Sequence, residues 1–192
     1  MPRGHSDTRT FDHSATVAGG PIHGTTVCHP NGLGFGVEQV HDAIISIRAA
    51  NGGDADVIIG FNRAMAVETE QVRLDESASD KGVRIALSDP KGCRYFLAEV
   101  NREIAGQTML TTEWSDWRNG WFWWIQSVYV LPAFRQIGVF RALYNHVRDL
   151  ARREPDVRGL RLYVDRDNER AMRTYEKLGM TRTRYLLFEE EL

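Results

Sequence analysis

Cysteine is scarce in this sequence of 192 residues, which contains only Cys28 and Cys93. Two cysteines cannot form the several disulfides that stabilise small secreted domains, so that class of protein is excluded. Long apolar runs are also missing, since the longest, Trp121 to Ile125, is far shorter than the roughly 18 residues that a membrane-spanning helix needs. Residues 1–20 contain no continuous apolar segment of the kind that a secretory signal requires. We therefore expect a reduced, soluble, cytoplasmic protein without a membrane partner.

The overall composition is that of a folded chain with an uneven charge distribution. Hydrophobic residues make up 42% and charged residues 26%, which excludes wholesale disorder. Residues 54–134 carry 8 basic and 12 acidic side chains (−4), whereas residues 135–184 carry 13 and 7 (+6). Basic stretches bind phosphates or nucleic acid, but they are also common on solvated helix faces. The charge alone leaves these three interpretations open.

Residues 1–43 differ in composition from the rest of the chain. They hold seven glycines, three prolines and five of the six histidines, without helical or strand periodicity. The histidine spacing matches no metal-ligand pattern, so we predict no metal site. We expect a flexible or loosely docked tail over residues 1–43 and one folded domain over residues 44–192.

Hydrophobic periodicity places strands and helices along the folded part. Strands are predicted at residues 44–47, 83–87, 94–100, 104–112, 120–130, 160–164 and 185–188, and helices after a cap at Asp54, at residues 140–153 and at residues 169–178. Several consecutive antiparallel strands thus lie between the first two helices. This order predicts an α/β (α+β) domain with a twisted, mostly antiparallel sheet flanked by helices.

The most informative stretch is residues 128–143. A strand passes through a turn marked by Pro132 into a helix N-terminus, where unpaired N–H groups and the helix dipole make an anion site. Gly138 lets the backbone approach a ligand closely, and Arg135 and Arg141 add positive charge. The stretch fits a pyrophosphate, but an ordinary strand-to-helix turn with exposed arginines has the same pattern.

A second stretch covers residues 168–180. Asn168 is a candidate helix cap, and Ala171, Tyr175 and Leu178 recur on one face of the helix that follows. A tyrosine at such a position usually packs in a core, so the stretch by itself assigns no chemistry.

Together these two stretches resemble the GNAT superfamily of N-acetyltransferases. The acyl-CoA signature of that family is similar to residues 135–140, preceded by a strand end like residues 128–132, and its C-terminal motif is similar to residues 168–180. The resemblance extends over residues 44–190, and the aromatic strand and Tyr175 look most like small-molecule amine acetyltransferases, including the diamine type. It implies the acyl-CoA N-acyltransferase fold, with the sheet splayed near the cofactor. It also implies direct transfer of an acetyl group from acetyl-CoA to an amine, without a metal or a covalent enzyme intermediate.

The resemblance further implies roles for individual residues. Backbone N–H groups from Gln136 to Arg141 would bind the pyrophosphate of CoA, and the Val128–Val130 strand would pair with its pantetheine arm. The N–H of Val128 would polarise the thioester carbonyl, and Tyr175 would protonate the departing thiolate, which makes these two the catalytic residues. The implied cofactor-binding residues are Val128, Val130, Arg135, Gln136, Ile137, Gly138, Val139, Phe140, Arg141, Asn168 and Tyr175.

Two positions depart from the family pattern. Phe140 stands where the family has Gly or Ala, so its side chain must turn away from the phosphates, into the core or toward the adenine. Gln126 stands where related diamine acetyltransferases carry a glutamate, and glutamine cannot accept a proton. An alkylamine must still lose its proton, so the base lies elsewhere or is water. The sequence does not choose among five candidate acids: Glu68, Glu70, Glu99, Glu113 and Asp116.

All five tryptophans lie within residues 114–124, beside Glu113 and Asp116. Tryptophan faces next to carboxylates suit a cationic amine, and they also suit sheet packing or a dimer interface. The expected partner is an amine acceptor, either a small molecule or a protein lysine, and a homodimer is left open.

Two other interpretations compete with the enzyme. Gln126 and Phe140 also fit a non-catalytic acyl-CoA-binding sensor or regulatory module. A nucleic-acid-binding protein would use the arginine-rich half, but acidic residues are mixed into that half and it has no recognised nucleic-acid motif. We therefore expect an acetyltransferase without a nucleic-acid partner.

Overall fold

The computed structural model describes residues 43–89 and 92–190. Within these ranges the chain forms five β-strands and four α-helices. The strands are β1 (Ile45–Ala49), β2 (Cys93–Val100), β3 (Glu103–Ser115), β4 (Gly120–Val130) and β5 (Val157–Leu162). The helices are α1 (Ala55–Glu70), α2 (Glu76–Ser88), α3 (Val139–Arg153) and α4 (Glu169–Lys177). The tail predicted over residues 1–43 lies outside the described residues except for its last position.

The five strands form one sheet in the order β1-β2-β3-β4-β5. The first four are successively antiparallel, and β5 is parallel to β4. Asn101 and Arg102, both with positive φ, make the tight turn between β2 and β3, whereas the parallel pair needs the crossover helix α3. The α/β fold with a mostly antiparallel sheet flanked by helices is therefore confirmed.

Helices cover both faces of the sheet. On one face α3 and α4 pack over a core that includes Leu143, Val147 and Val128. On the other face α1 and α2 pack over a smaller core that includes Ile58 and Leu97. Each helix buries one apolar stripe, as the four-residue spacing of Leu143 and Val147 predicts. No helix within residues 43–89 and 92–190 is both long and apolar enough to cross a membrane.

The segment Val83–Leu87, predicted as a strand, is instead part of α2. Its apolar residues alternate as they would in a strand, but only Val83 is buried, and Ile85 is 67% exposed. The carboxylate of Asp75 accepts the N–H of Ala78 at 2.7 Å and so caps the helix. The cap and the single buried position fit one face of a helix better than a strand.

The last predicted strand, Tyr185–Phe188, is also wrong. The segment has no regular structure, and its four large side chains are between 55% and 90% exposed. It pairs with none of the five strands of the described sheet. Strand propensity is expressed only when a neighbouring strand supplies partners, and this segment has none there.

Asp54 stands at the start of α1 as predicted, but its side chain does not cap that helix. Its carboxylate accepts the N–H of Asn51 at 2.8 Å and two bonds from the Arg48 guanidinium, both at 2.8 Å. With Asn51 it forms a capping box that closes the short 3-10 helix Gly52–Asp54.

Candidate active site

The parallel strands β4 and β5 separate in the middle of β4. Their pairing ends at Ile125 and Leu162, and the following residues of β4 pair only with β3. The second half of β4 thus has one edge without a strand partner in the described part of the chain. Such an edge can bind an extended ligand as a further strand would bind.

A β-bulge lies next to this edge. β3 pairs Gln107 with Tyr129 and Met109 with Gln126, so β4 contains one extra residue between these pairs. Ser127 lies within the bulge and has a φ of 48°. Bulges bend the strand and change the direction of its groups, and here the bend coincides with the separation of β4 from β5.

The backbone groups of Val128 and Val130 face the open edge. The N–H of Leu131 bonds to the carbonyl of Ala105 in β3 at 2.9 Å. Because alternate residues of an antiparallel strand direct their N–H and C=O groups to the same side, the residues before and after Tyr129 direct theirs away from β3. Both valines therefore have the orientation that pairing with a pantetheine arm requires.

The turn between β4 and α3 has an open backbone surface. It contains Gln136 with a φ of 71° and Gly138 with a φ of 99°, and no side chain caps the N-terminus of α3. A Cβ at Gly138 would come no closer than 3.9 Å to a neighbouring atom, the Cδ1 of Ile45. The first N–H groups of α3 thus have the position and dipole that suit a phosphate.

The side chains of the turn point in different directions. Ile137 is 46% exposed and Arg141 is exposed. Arg135 instead folds back, and its Nε donates to the carbonyl of Val130 at 2.8 Å while its Nη2 donates to Glu68 at 2.6 Å. The Arg135 charge therefore lies against β4 and α1, whereas the sequence predicted it on the phosphate.

Phe140 is buried together with Val139 at the start of α3. Its ring centroid lies 5.7 Å from that of Tyr175, in an edge-to-face contact, and 6.3 Å from that of Tyr144. The side chain turns into the core, which is one of the two directions expected for it. A large residue is accommodated because the ring fills space between α3 and α4.

The helix α4 carries the two remaining candidate residues. The Oδ1 of Asn168 accepts the N–H of Ala171 at 2.9 Å, which confirms the predicted helix cap. Tyr175 is 4% exposed and belongs to the same core as Val128 and Val130. Burial raises the pKa of its phenol above the usual value, so the side chain keeps its proton at neutral pH.

The face of β4 that points away from α3 and α4 presents polar and aromatic groups near the point where β4 and β5 separate. The Nε2 of Gln126 donates to the Oγ1 of Thr111 at 2.9 Å. The rings of Trp124 and Tyr163 are stacked with centroids 4.3 Å apart. Since Tyr163 directly follows β5, this stacked pair lies at the point where β4 and β5 diverge.

Glu113, one of the acids expected beside a cationic acceptor, already has a cationic partner. It accepts two bonds from Arg161 at 2.8 Å and one from the indole Nε1 of Trp124 at 2.5 Å. The Arg161 guanidinium also lies 3.9 Å from the ring centroid of Phe122. An internal arginine thus occupies the carboxylate and aromatic face that the sequence suggested for an amine.

The five tryptophans do not form one surface. Trp123 is buried beneath Arg94, which lies 4.1 Å from its ring centroid. Trp114 and Trp121 meet edge to face with centroids 5.1 Å apart, and Trp117 is 92% exposed in the connection between β3 and β4. Asp116 is in the same connection.

The candidate bases are dispersed. Glu68 accepts the hydroxyl of Tyr129 at 2.7 Å and an N–H of Arg135. Glu99 accepts an N–H of Arg48 at 2.6 Å, and Glu113 is bound to Arg161. Glu70 ends α1. Sequence reasoning missed Tyr129 altogether, because its contact with Glu68 spans 61 positions and leaves no local pattern.

Comparison with known proteins agrees with this geometry. The sequence model of the Acetyltransferase (GNAT) family matches residues 61–180. A possible acetyltransferase from Clostridium difficile 630 shares 41% sequence identity, and its crystal structure matches with a TM-score of 0.72 over 77% of this chain and 97% of that chain. The chain belongs to the acetyltransferase (GNAT) family. It is an acetyl-CoA-dependent N-acetyltransferase.

More distant structures share the fold. A predicted acetyltransferase from Clostridium acetobutylicum, solved with acetyl-CoA, is 16% identical over 77% of this chain and 96% of that chain, with a TM-score of 0.63. An aminoglycoside N-acetyltransferase in complex with CoA is 16% identical over 79% of this chain and 97% of that chain, with a TM-score of 0.64. A comparison with curated proteins gives no match.

Proposed function

We propose that this protein transfers the acetyl group of acetyl-CoA to the primary amine of a small molecule, by direct attack of the amine. The observation that carries the proposal is the open edge of β4. It directs the backbone groups of Val128 and Val130 away from β3, and it belongs to the same core as the buried phenol of Tyr175.

In this proposal the chain binds acetyl-CoA, which supplies an activated thioester, mainly through its backbone. The N–H groups from Gln136 to Arg141 bind the pyrophosphate at the N-terminus of α3. The backbone of Val128 and Val130 pairs with the pantetheine arm, and Asn168 contacts the cofactor from the start of α4.

The residues then act on the reacting atoms in a balanced transfer. The N–H of Val128 donates to the thioester carbonyl and stabilises the charge that develops on its oxygen. The amine nitrogen forms a bond to the carbonyl carbon as the carbon–sulfur bond breaks, and Tyr175 donates its proton to the sulfur. The proton lost from the amine passes to solvent, and Tyr175 regains a proton from solvent.

The proposed acceptor site is the face of β4 that carries Gln126 and Trp124, opposite α3 and α4. Tyr163 borders this face across the gap between the strands. An alkylamine with a pKa of about 10.4 is almost wholly protonated at neutral pH, so its deprotonation is part of the reaction. Diamines remain within the proposal, and the aminoglycoside-modifying neighbour adds aminoglycosides to the acceptors to be tested.

The proposal includes a cytoplasmic location, no metal requirement and no nucleic-acid or membrane partner. It is supported by the low cysteine count and by the character of the site, where backbone N–H groups and a phenol supply the chemistry. A homodimer is compatible with it, and residues 1–43 are proposed to form a tail outside the catalytic domain.

The test is release of free CoA thiol from acetyl-CoA with a panel of diamines, polyamines, amino acids, aminoglycosides and a lysine peptide. Tyr175→Phe is compared with Tyr144→Phe, which removes the hydroxyl of another buried tyrosine in contact with Phe140. We expect acceptor-dependent release that falls at least about tenfold only in Tyr175→Phe. Binding of CoA without acceptor-dependent release would favour a sensor, and preference for the lysine peptide would exclude a small-molecule acceptor.

A further inference from the structure

Three segments that are distant in the sequence meet beside the end of β4. Glu68, near the end of α1, accepts the hydroxyl of Tyr129 at 2.7 Å with one carboxylate oxygen and the Nη2 of Arg135 at 2.6 Å with the other. The Nε of Arg135 donates to the carbonyl of Val130 at 2.8 Å, and its guanidinium carbon lies 5.6 Å from the ring centroid of Tyr129. We call the set of Glu68, Tyr129 and Arg135 the brace.

Within the brace Tyr129 is buried and the Arg135 side chain is mostly covered, whereas Glu68 lies at the surface. The side chain of Arg135 is 15% exposed and that of Glu68 is 31% exposed. Tyr129 is 4% exposed, and burial, with Glu68 as its hydrogen-bond partner, raises the pKa of its phenol to about 12. The hydroxyl therefore keeps its proton and donates to Glu68 throughout the neutral range. The bond between Tyr129 and Glu68 is part-buried, and hydrogen bonds to charged groups in such surroundings are stronger than those at an open surface.

The turn that follows Arg135 needs this support. Gln136 is not a glycine, yet it adopts a φ of 71°, a left-handed conformation that is strained for a residue with a Cβ. No side chain caps the helix that begins at Val139. A strained turn without a cap persists only when its surroundings fix it, and the bonds of Arg135 to Val130 and Glu68 fix the residue that directly precedes it.

We propose that Glu68 is a positioning residue for acetyl-CoA binding. Through Arg135 it holds the Gln136–Gly138 turn in the conformation that presents its backbone to the pyrophosphate. Arg135 serves the same purpose, and its guanidinium is not a phosphate ligand. This inference rests on the cofactor placement of the proposed function, and it replaces the role of candidate base for Glu68, because both of its oxygens are engaged.

The brace also determines what the open edge of β4 can offer. The carbonyl of Val130 faces that edge and accepts a bond from Arg135, so it keeps one lone pair for an extended ligand, beside the N–H of Val130 and both backbone groups of Val128. Because Glu68 belongs to α1, the brace links the helix on the acceptor side of the sheet with the turn on the cofactor side.

The experiment measures CoA affinity by calorimetry together with the kinetics of two thioesters. Acetyl-CoA carries the pyrophosphate, whereas S-acetyl-N-acetylcysteamine lacks it and does not reach the turn. Glu68→Gln, Arg135→Lys and Arg135→Gln are compared with Asp80→Asn. The control removes a 2.8 Å ion pair between Arg63 of α1 and α2, away from the turn.

We expect Glu68→Gln to raise both the Kd for CoA and the KM for acetyl-CoA about 5- to 20-fold. Its loss of kcat/KM with acetyl-CoA should exceed its loss with the short thioester at least fivefold. Arg135→Lys should resemble Arg135→Gln, because lysine keeps the charge but cannot make both bonds of the guanidinium fork. Asp80→Asn should bind CoA like the wild type.

Other results would overturn the proposal. If Arg135 binds phosphate directly, Glu68→Gln leaves CoA affinity unchanged or increases it by releasing the arginine, and Arg135→Lys retains most of the affinity. Equal losses with the two thioesters would mean a general structural role for Glu68. Failure of the wild-type protein to bind CoA would contradict the proposed function itself. CoA binding that does not change in Glu68→Gln would contradict only the positioning role of Glu68.

Discussion

Among single residues, Tyr175 is the one to which the proposed function gives the most specific chemical task. Its phenol is 4% exposed, and burial raises its pKa. We expect Tyr175→Phe to lower kcat about 10²–10⁴-fold. The loss is limited because a thiolate is a fair leaving group even when no acid protonates it. CoA affinity should change little, because the phenyl ring still fills the core. Steady-state kinetics and calorimetry separate the two effects, and a large loss of CoA binding would contradict the assignment.

The direction of that pKa change also predicts a pH profile. A raised pKa keeps the acid form of Tyr175 present beyond the ordinary phenol value of about 10. The rate should therefore rise with pH as the acceptor amine loses its proton and should show no descending limb below about pH 10. The profile of kcat/KM for the best acceptor, measured from pH 6 to 10, checks this. A fall near pH 8 would mean that another group donates the proton.

Phe140 packs against Tyr175, the proposed general acid. Its buried ring contacts the rings of Tyr175 and Tyr144, so Phe140→Ala would leave a cavity between α3 and α4. We expect a loss of about 3–5 kcal/mol in the free energy of unfolding, measured with urea. We also expect a lower kcat at saturating acetyl-CoA. Phe140→Leu, which refills part of the volume, should recover most of both. An unaltered kcat in Phe140→Ala would show that Tyr175 needs no support from this ring.

At the level of elements, the turn before α3 depends on glycine at one position. Gly138 has a φ of 99°, and a Cβ there would find space, so Gly138→Ala should cost about 1–2 kcal/mol through backbone strain alone. Relief of that strain would displace the N–H groups of the turn, and we expect CoA affinity to fall with stability. Gly179→Ala is the matched control, because Gly179 has a φ of 91° with no atom within 4 Å of its Cβ position. It should lose similar stability and keep CoA affinity. Equal affinities in the two variants would count against the turn as the phosphate site.

The sequence predicted those elements whose signals are local. β4 was predicted with its observed bounds, and α3 and α4 within one residue of theirs, because their caps, breakers and apolar spacings lie within the elements themselves. The prediction for residues 83–87 is wrong because the alternation of Val83, Ile85 and Leu87 outweighs the four-residue spacing of Val83 and Leu87, which is the one that packs in the core behind the cap at Asp75. The same difference between local and distant signals applies to the site. The cap at Asn168 can be predicted from the sequence, whereas the bulge at Ser127 and the bonds of Arg135 to α1 depend on partners many positions away.

For the molecule as a whole, one ion-pair network predicts part of the acid sensitivity. Arg48 bonds to Asp54 and to Glu99, and its hydrogen bonds hold the pKa of Asp54 below the usual value. A lowered folded-state pKa means stability that is present above the unfolded value of about 3.9 and is lost as pH falls through the folded value. Because Arg48 is partly exposed, Asp54→Asn should cost only about 1–2 kcal/mol at pH 7. Urea unfolding at pH 7 and pH 3 should show that cost shrinking at the lower pH.

A neighbouring aspartate provides the control for this network. Asp56 pairs with Arg84 at 2.7 Å, but its side chain is 89% exposed. Asp56→Asn should therefore change the free energy of unfolding little at either pH. A cost of Asp54→Asn that stayed constant from pH 7 to pH 3 would mean that the variant loses packing or the capping box and not the charge.

The extent of the catalytic unit is a property of the whole chain. Both cores and every proposed site residue lie between β1 and the end of α4, and nearly the whole length of the Clostridium difficile relative matches three quarters of this chain. We therefore expect a fragment of residues 43–192 to unfold within about 3 °C of the full chain and to bind CoA within about twofold. A fragment of residues 55–192 is the control, because it also lacks β1, whose five pairs with β2 and packing against α3 close that side of the sheet. Thermal unfolding and calorimetry should show that the second fragment has lost stability and affinity. A comparable loss in the first would assign residues 1–42 a part in the fold or in cofactor binding.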